Sequence, residues 1–194
     1  MCIIVYKPKG VKLPPIDILD TCWYSNPDGA GIMWQEGGTV KWIKGLMTIG
    51  EFYTALPWDK DDVDMVLHFR IATAGGVCKE MTHPFPYVNN YDKMGEVEGE
   101  CRTVVAHNGI LSIPEEYGDV SDTATMVKYL ATSGVKIHRP NTHTLIEAIL
   151  DGTNKLAVLR PTETILLGSG WIKDSGIYYS NKGYESYGNF RILG

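Results

Sequence analysis

The chain has 194 residues, 44% hydrophobic and 21% charged, enough for one substantial core and too few for two full domains. Its 18 lysines and arginines stand against 23 acids for a net charge of -5, with no basic run, which argues against a nucleic-acid or anionic-membrane partner. There is no apolar stretch of roughly eighteen residues and no charged segment leading into a long apolar one, so neither a membrane span nor a signal peptide is expected, and the reading is a single cytoplasmic domain over residues 1–194.

The opening run Met1-Cys2-Ile3-Ile4-Val5-Tyr6 reads as a buried strand. A cysteine behind an initiator methionine becomes the N-terminus when that methionine is removed. It then carries a thiol and an α-amine of pKa about 7.7–8.0 on one Cα, so nucleophile and base come as one residue. The plain alternative is a small buried hydrophobe.

Pro14-Pro15 then start a short helix through Ile16, Ile18, Leu19, Cys22 and Trp23, stopped by the turn Ser25-Asn26-Pro27-Asp28-Gly29. Ala30 to Trp34 and Thr39 to Ile43 form a hairpin across Gly37-Gly38. Ile49 to Leu56 reads as a helix. The apolar run Val63 to Phe69 delivers Arg70 to a loop broken by Thr73-Ala74-Gly75-Gly76. The polar segment from Asn89 to Arg102 lacks a period and reads as an exposed insertion or irregular hairpin.

Thr103 to Ala106 is a short buried strand entering the turn His107-Asn108-Gly109. Ser121 or Asp122 caps a helix through Met126, Val127 and Leu130, and a second helix runs from Thr144 to Leu150. Strands follow at Leu156–Leu159, Thr164–Leu167, Gly176–Tyr179 and Asn189–Leu193. Strands at both ends with helices between imply an α+β class, antiparallel sheets flanked by helices.

Cys2, Cys22, Cys78 and Cys101 form no CxxC pair, and the five histidines form no HxxxH or HExxH pattern. No metal site and no cofactor are expected.

Taken together, Met1-Cys2-Ile3, Asn26-Pro27-Asp28-Gly29-Ala30-Gly31-Ile32, His68-Phe69-Arg70-Ile71-Ala72-Thr73, Thr82-His83-Pro84, His107-Asn108-Gly109 and Ser121-Asp122-Thr123 stand in the order found in class II glutamine amidotransferase domains, within the N-terminal-nucleophile hydrolases. The chain resembles that family over roughly residues 2 to 130, and Trp171 with Tyr179-Ser180-Asn181 resembles the tail of its small free-standing members. The resemblance implies a four-layer αββα sandwich and glutamine as substrate. It implies Cys2 as nucleophile, Asn108 and Gly109 as oxyanion donors, Arg70 and Thr73 at the substrate α-carboxylate and Asp122 at its α-ammonium. His83 would shape the pocket.

The chemistry suits those residue types: a guanidinium pairs bidentately with a carboxylate, and fixed donors stabilise a tetrahedral oxyanion. Alone, Arg70 is an ordinary ion-pair partner, Asp122 a helix cap and Asn108-Gly109 a hairpin turn; Asp28 is a turn residue and His107 structural. Better-known members have tryptophan where this chain has Ile71, and histidine-glycine where it has Ala74-Gly75. They also carry a synthase domain, for which no residues remain, so a separate ammonia-accepting synthase or ligase is the expected partner. Hydrolysis of another γ-glutamyl amide, or an idle binding module, are the competing readings.

Overall fold

The computed structural model describes residues 1–72, 77–113 and 120–185. Eleven strands and five α-helices follow one another as β1 (Ile3–Lys7), α1 (Ile16–Ser25), β2 (Ala30–Glu36), β3 (Thr39–Leu46), α2 (Ile49–Ala55), β4 (Met65–Phe69), β5 (Phe85–Pro86), α3 (Tyr91–Gly95), β6 (Glu98–Cys101), β7 (Val104–Asn108), α4 (Asp122–Thr132), α5 (Pro140–Leu150), β8 (Lys155–Arg160), β9 (Glu163–Leu167), β10 (Ile172–Asp174) and β11 (Ile177–Tyr179) among the described residues. They form two antiparallel sheets, ordered β10-β11-β1-β4-β2-β3-β6 and β5-β7-β8-β9.

Side-chain alternation distributes three cores. Ile3 and Val5 of β1 and Leu67 and Phe69 of β4 pack with Leu19, Trp23, Phe52 and Leu56 from α1 and α2, outside the seven-stranded sheet. Ile4 and Val66 point the other way, meeting Val104, Ala106, Ala157 and Leu159 of the second sheet. Val105, Leu156 and Val158 then face Ala124, Val127, Leu130, Ile146 and Leu150 of α4 and α5. The chain is therefore an α+β, four-layer αββα sandwich. Strands buried on both faces are why β1 reads as an unbroken apolar run rather than an alternating one.

Several expectations need correction. The segment 89–102 is largely exposed, as expected, but it is regular structure rather than an insertion or an irregular hairpin. It holds α3, whose Met94 is fully buried, and β6, which extends the large sheet by pairing with β3. Its polarity is that of an edge strand, which needs no apolar outer face. Helix α5 begins at Pro140, with proline in its first turn, rather than at Thr144; of the two candidate caps of α4, Ser121 is the one that serves, accepting from the Ala124 N–H. Strand β10 had no apolar run to announce it. The expected strand 189–193 and the break at 73–76 lie outside the described residues. Among the described residues no helix is long and apolar enough to cross a membrane.

Candidate active site

Strand register carries the sequence-predicted residues to one end of the inter-sheet layer. Ile3 pairs with Phe69, so Cys2 lies opposite Arg70 one step on, and Ala30 also pairs with Phe69, so the Arg70 N–H reaches the Gly29 carbonyl (2.8 Å). Cys2 shares the parity of Ile4, Arg70 that of Val66, and Asn108 that of Ala106, which is the parity facing the opposite sheet. A cavity of about 120 Å³ opens there, walled by Cys2, Arg70, His83, Gly109, Asp122 and apolar Leu111 among others.

The Cys2 sulfur lies 3.4 Å from the Ile71 N–H, a weak donor contact. Burial pushes the thiol pKa up, opposed by that N–H and by the charges of the terminal ammonium and Arg70. All four cysteines are free. Met1 is 62% exposed, so the residue ahead of the sulfur projects into solvent. Asp28 ties the preceding turn to the exit of β4, accepting from the Ala72 N–H (2.8 Å) and donating its own N–H to the Arg70 carbonyl (3.0 Å).

Asn108, buried and not on the cavity surface itself, directs its Nδ2 to Ser180 Oγ (3.0 Å), while its Oδ1 has no partner. Ser180 Oγ also accepts the Ile4 N–H (2.9 Å), and Asn181 Nδ2 donates to the Cys2 carbonyl (2.7 Å). Rotating the Asn108 amide by half a turn lets Oδ1 accept the Ser180 hydroxyl proton and leaves the Nδ2 donor as the unpaired group. Gly109 sits at φ +141°, where a Cβ would meet Asn154 Oδ1 at 1.9 Å.

Asp122 is anchored rather than loose: Oδ2 accepts from the Leu111 N–H (2.8 Å) and Oδ1 from the Thr123 N–H (2.7 Å). A carboxylate has about four acceptor positions, so one bond on Oδ2 leaves room for a ligand cation at the wall.

Behind the cavity three buried histidines meet. The His83 and His68 rings lie 4.3 Å apart and the His83 and His107 rings 6.4 Å apart. His68 Nε2 must carry its proton, since it donates to the His107 carbonyl (3.1 Å). His107 bonds Thr123 Oγ1 and Asn154 Oδ1, both at 2.9 Å. Burial pulls all three pKa values down, that of His68 to about 3, so the cluster is neutral at pH 7. Neither nitrogen of His83 has a partner, which leaves a neutral donor and acceptor at the cavity wall. Its loop rests on Gly31, where a Cβ would lie 2.0 Å from the His83 carbonyl, and on buried Lys44, whose ammonium donates to the carbonyls of Glu80 and Met94.

No family model matches the chain and no curated protein does. Among solved structures, glutamine phosphoribosylpyrophosphate amidotransferase from B. subtilis, complexed with ADP and GMP, superimposes with a TM-score of 0.51 over 95% of this chain at 18% identity. The two share a fold. The chain spans 42% of that protein's length, so the likeness concerns one part of it.

The structure thus brings Cys2, Arg70, His83, Gly109 and Asp122 to one cavity, with Asn108 directly behind it; Thr73 lies outside the described residues. The resemblance marks Ser180 and Asn181 without giving them a part and does not mark Asn154, because each contact acts across more than forty residues of sequence. Parity on β11, where Tyr179 faces the helices, would have placed Ser180 inward.

Proposed function

We propose that this chain hydrolyses the side-chain amide of glutamine. The observation that carries the reading is the convergence of a thiol, a guanidinium and a carboxylate on one small cavity. Free glutamine presents an amide carbon, an α-carboxylate and an α-ammonium, one group for each. The fold shared with an amidotransferase supports the same class. A cavity of about 120 Å³ is well below the roughly 300–1,000 Å³ of sites for drug-sized ligands, which favours an amino acid over a conjugate or peptide.

In this reading Met1 is removed, and the freed α-amine of Cys2 takes the thiol proton as sulfur attacks the amide carbon. The tetrahedral oxyanion is held by the Gly109 N–H and by the Asn108 amide in its rotated orientation, fixed by the Ser180 hydroxyl. Collapse breaks the C–N bond, with the proton returned to the leaving group, giving ammonia and a γ-glutamyl thioester; water then releases glutamate. Arg70 holds the α-carboxylate, a part the resemblance also gives to Thr73; Asp122 holds the α-ammonium, and neutral His83 completes the wall. The ammonia would pass to a separate synthase or ligase.

The test is a glutamate-release assay over glutamine and a panel of γ-glutamyl peptides and small amides. Glutamine turned over best supports the proposal. Preference for a conjugate moves the protein to a different amide hydrolase, and no turnover of any of them by chain with a confirmed N-terminal Cys2 makes it a binding module.

A further inference from the structure

At the opposite end of the sandwich lies a second cleft, of about 590 Å³, whose wall among the described residues includes Arg102, Lys136, His138, Arg139 and Arg160 and no acid. Strand β8 pairs Lys155 with Asn108 at the Cys2 end and finishes at Arg160; five residue steps of about 3.3 Å put the clefts roughly 17 Å apart. Four permanent cations around one cleft are unexpected in a chain of net charge -5, and among the described residues only Arg160 has an acidic partner, Glu163, so the repulsion among the other three favours drawing in an anion.

Two further features point the same way. Helix α5 starts at this cleft with Arg139 in its N-cap position, no side-chain cap and no acid in its first turn. Helix N-termini normally attract acids, since free N–H groups and the macrodipole make them positive, so this one adds to the positive field rather than answering it. Arg160 is held in place, its side chain 13% exposed and one guanidinium nitrogen paired with Glu163, while its buried Nε has no hydrogen-bond partner. The environment of His138 agrees: burial lowers its pKa, and so do the neighbouring charges of Arg160 and Arg139.

We propose that this cleft binds a small molecule carrying two or more phosphate groups, held by Arg102, Lys136, Arg139 and Arg160. Three planar guanidiniums suit phosphate oxygens bidentately, and the macrodipole of α5 adds to the positive potential at Arg139. The inference does not depend on the reading of Cys2.

Calorimetric titration of the full chain with inorganic pyrophosphate at low salt tests it. Saturable one-to-one binding is expected, weakened at least tenfold in Arg102→Gln/Arg139→Gln, as the loss of two charge-assisted contacts requires, and weakened by added salt. Both side chains are exposed, so the variant keeps its fold. Amide NMR shifts should centre on Thr103, Gly134, Lys136 and Arg139 rather than on Cys2. The proposal is overturned by absence of saturable binding up to about 10 mM, by equal affinity in the double variant, or by an oligo-aspartate peptide binding more tightly than pyrophosphate, which would make the cleft a docking site for acidic protein.

Discussion

Gly109→Ala should damage stability and turnover together, and its size follows from the geometry. At φ +141° a side chain is strained wherever it points, at a cost of about 1–3 kcal/mol. The new methyl would also stand 1.9 Å from Asn154 Oδ1 and 2.6 Å from its Cγ, so Asn154 must move and its bond to His107 Nε2 is lost for about another 1 kcal/mol. The sum of about 2–4 kcal/mol corresponds to roughly 4–16 °C in Tm for a domain of this size. If the Gly109 N–H holds the oxyanion, displacing it lowers kcat by on the order of 10²–10³. Thermal unfolding followed by circular dichroism reads the first effect, and glutamate release from glutamine well below the new Tm reads the second. Asn154→Ala in the same chain should return part of the stability, since it removes the clash but leaves the strained φ. A Tm within about 1 °C of the parent would refute the strain argument, and kcat within about twofold would remove Gly109 from the oxyanion site.

Other outcomes follow from the same coordinates. A permanent N-terminal tag should abolish glutamate release and its removal to expose Cys2 should restore it, with Cys2→Ala inactive in every form; full activity of intact tagged protein, verified by mass, contradicts the terminal-amine mechanism. Arg70→Lys keeps the charge but loses the fork, so kcat/KM for glutamine should fall roughly 10–100-fold, and an unchanged value would take Arg70 out of substrate binding. Asp122→Asn should raise KM for glutamine more than for an analogue lacking the α-amine, and equal effects on both would leave Asp122 with its loop-anchoring contacts alone. Because burial lowers the folded-state pKa of His68 to about 3, the unfolded chain takes up a proton below about pH 6.5 that the folded chain refuses, so stability falls on acidification from there downward, by up to about 1.4 kcal/mol per pH unit for each such histidine. Urea unfolding between pH 7.5 and 5 should show that slope, and His68→Gln should reduce it by about one proton; a flat profile would mean the ring takes up its proton inside the fold.

How much was legible in the sequence depends on how local the cause is. The hairpin across Gly37-Gly38 and the helix capped by Thr48 and Glu51 are set by neighbouring residues, and both lie where the pattern puts them. The polarity of residues 89–102 misled because an edge strand and a loop have the same composition; what decides between them is that β3 offers its free edge. Cys2 could be singled out because it follows an initiator-type methionine, and Arg70, Gly109 and Asp122 because their short motifs stand in the order of a known family, not because any of them is distinctive alone. Ser180 could not be given a part, since a serine after Tyr179 acquires meaning only when β11 is known to lie beside β1.

That last adjacency has a consequence in time. β1 is the first strand made, yet one of its two edges stays open until β11 exists, and the Cys2 carbonyl and the Ile4 N–H wait for Asn181 and Ser180. A nascent chain shorter than that holds Cys2 with neither its backbone anchored nor Asn108 oriented. The thiol is thus the first group of the cavity to be synthesised and among the last to be fixed in place, so the removal of Met1 that the proposed mechanism requires would act on a segment still loosely held, before the closing strand draws it against the sheet.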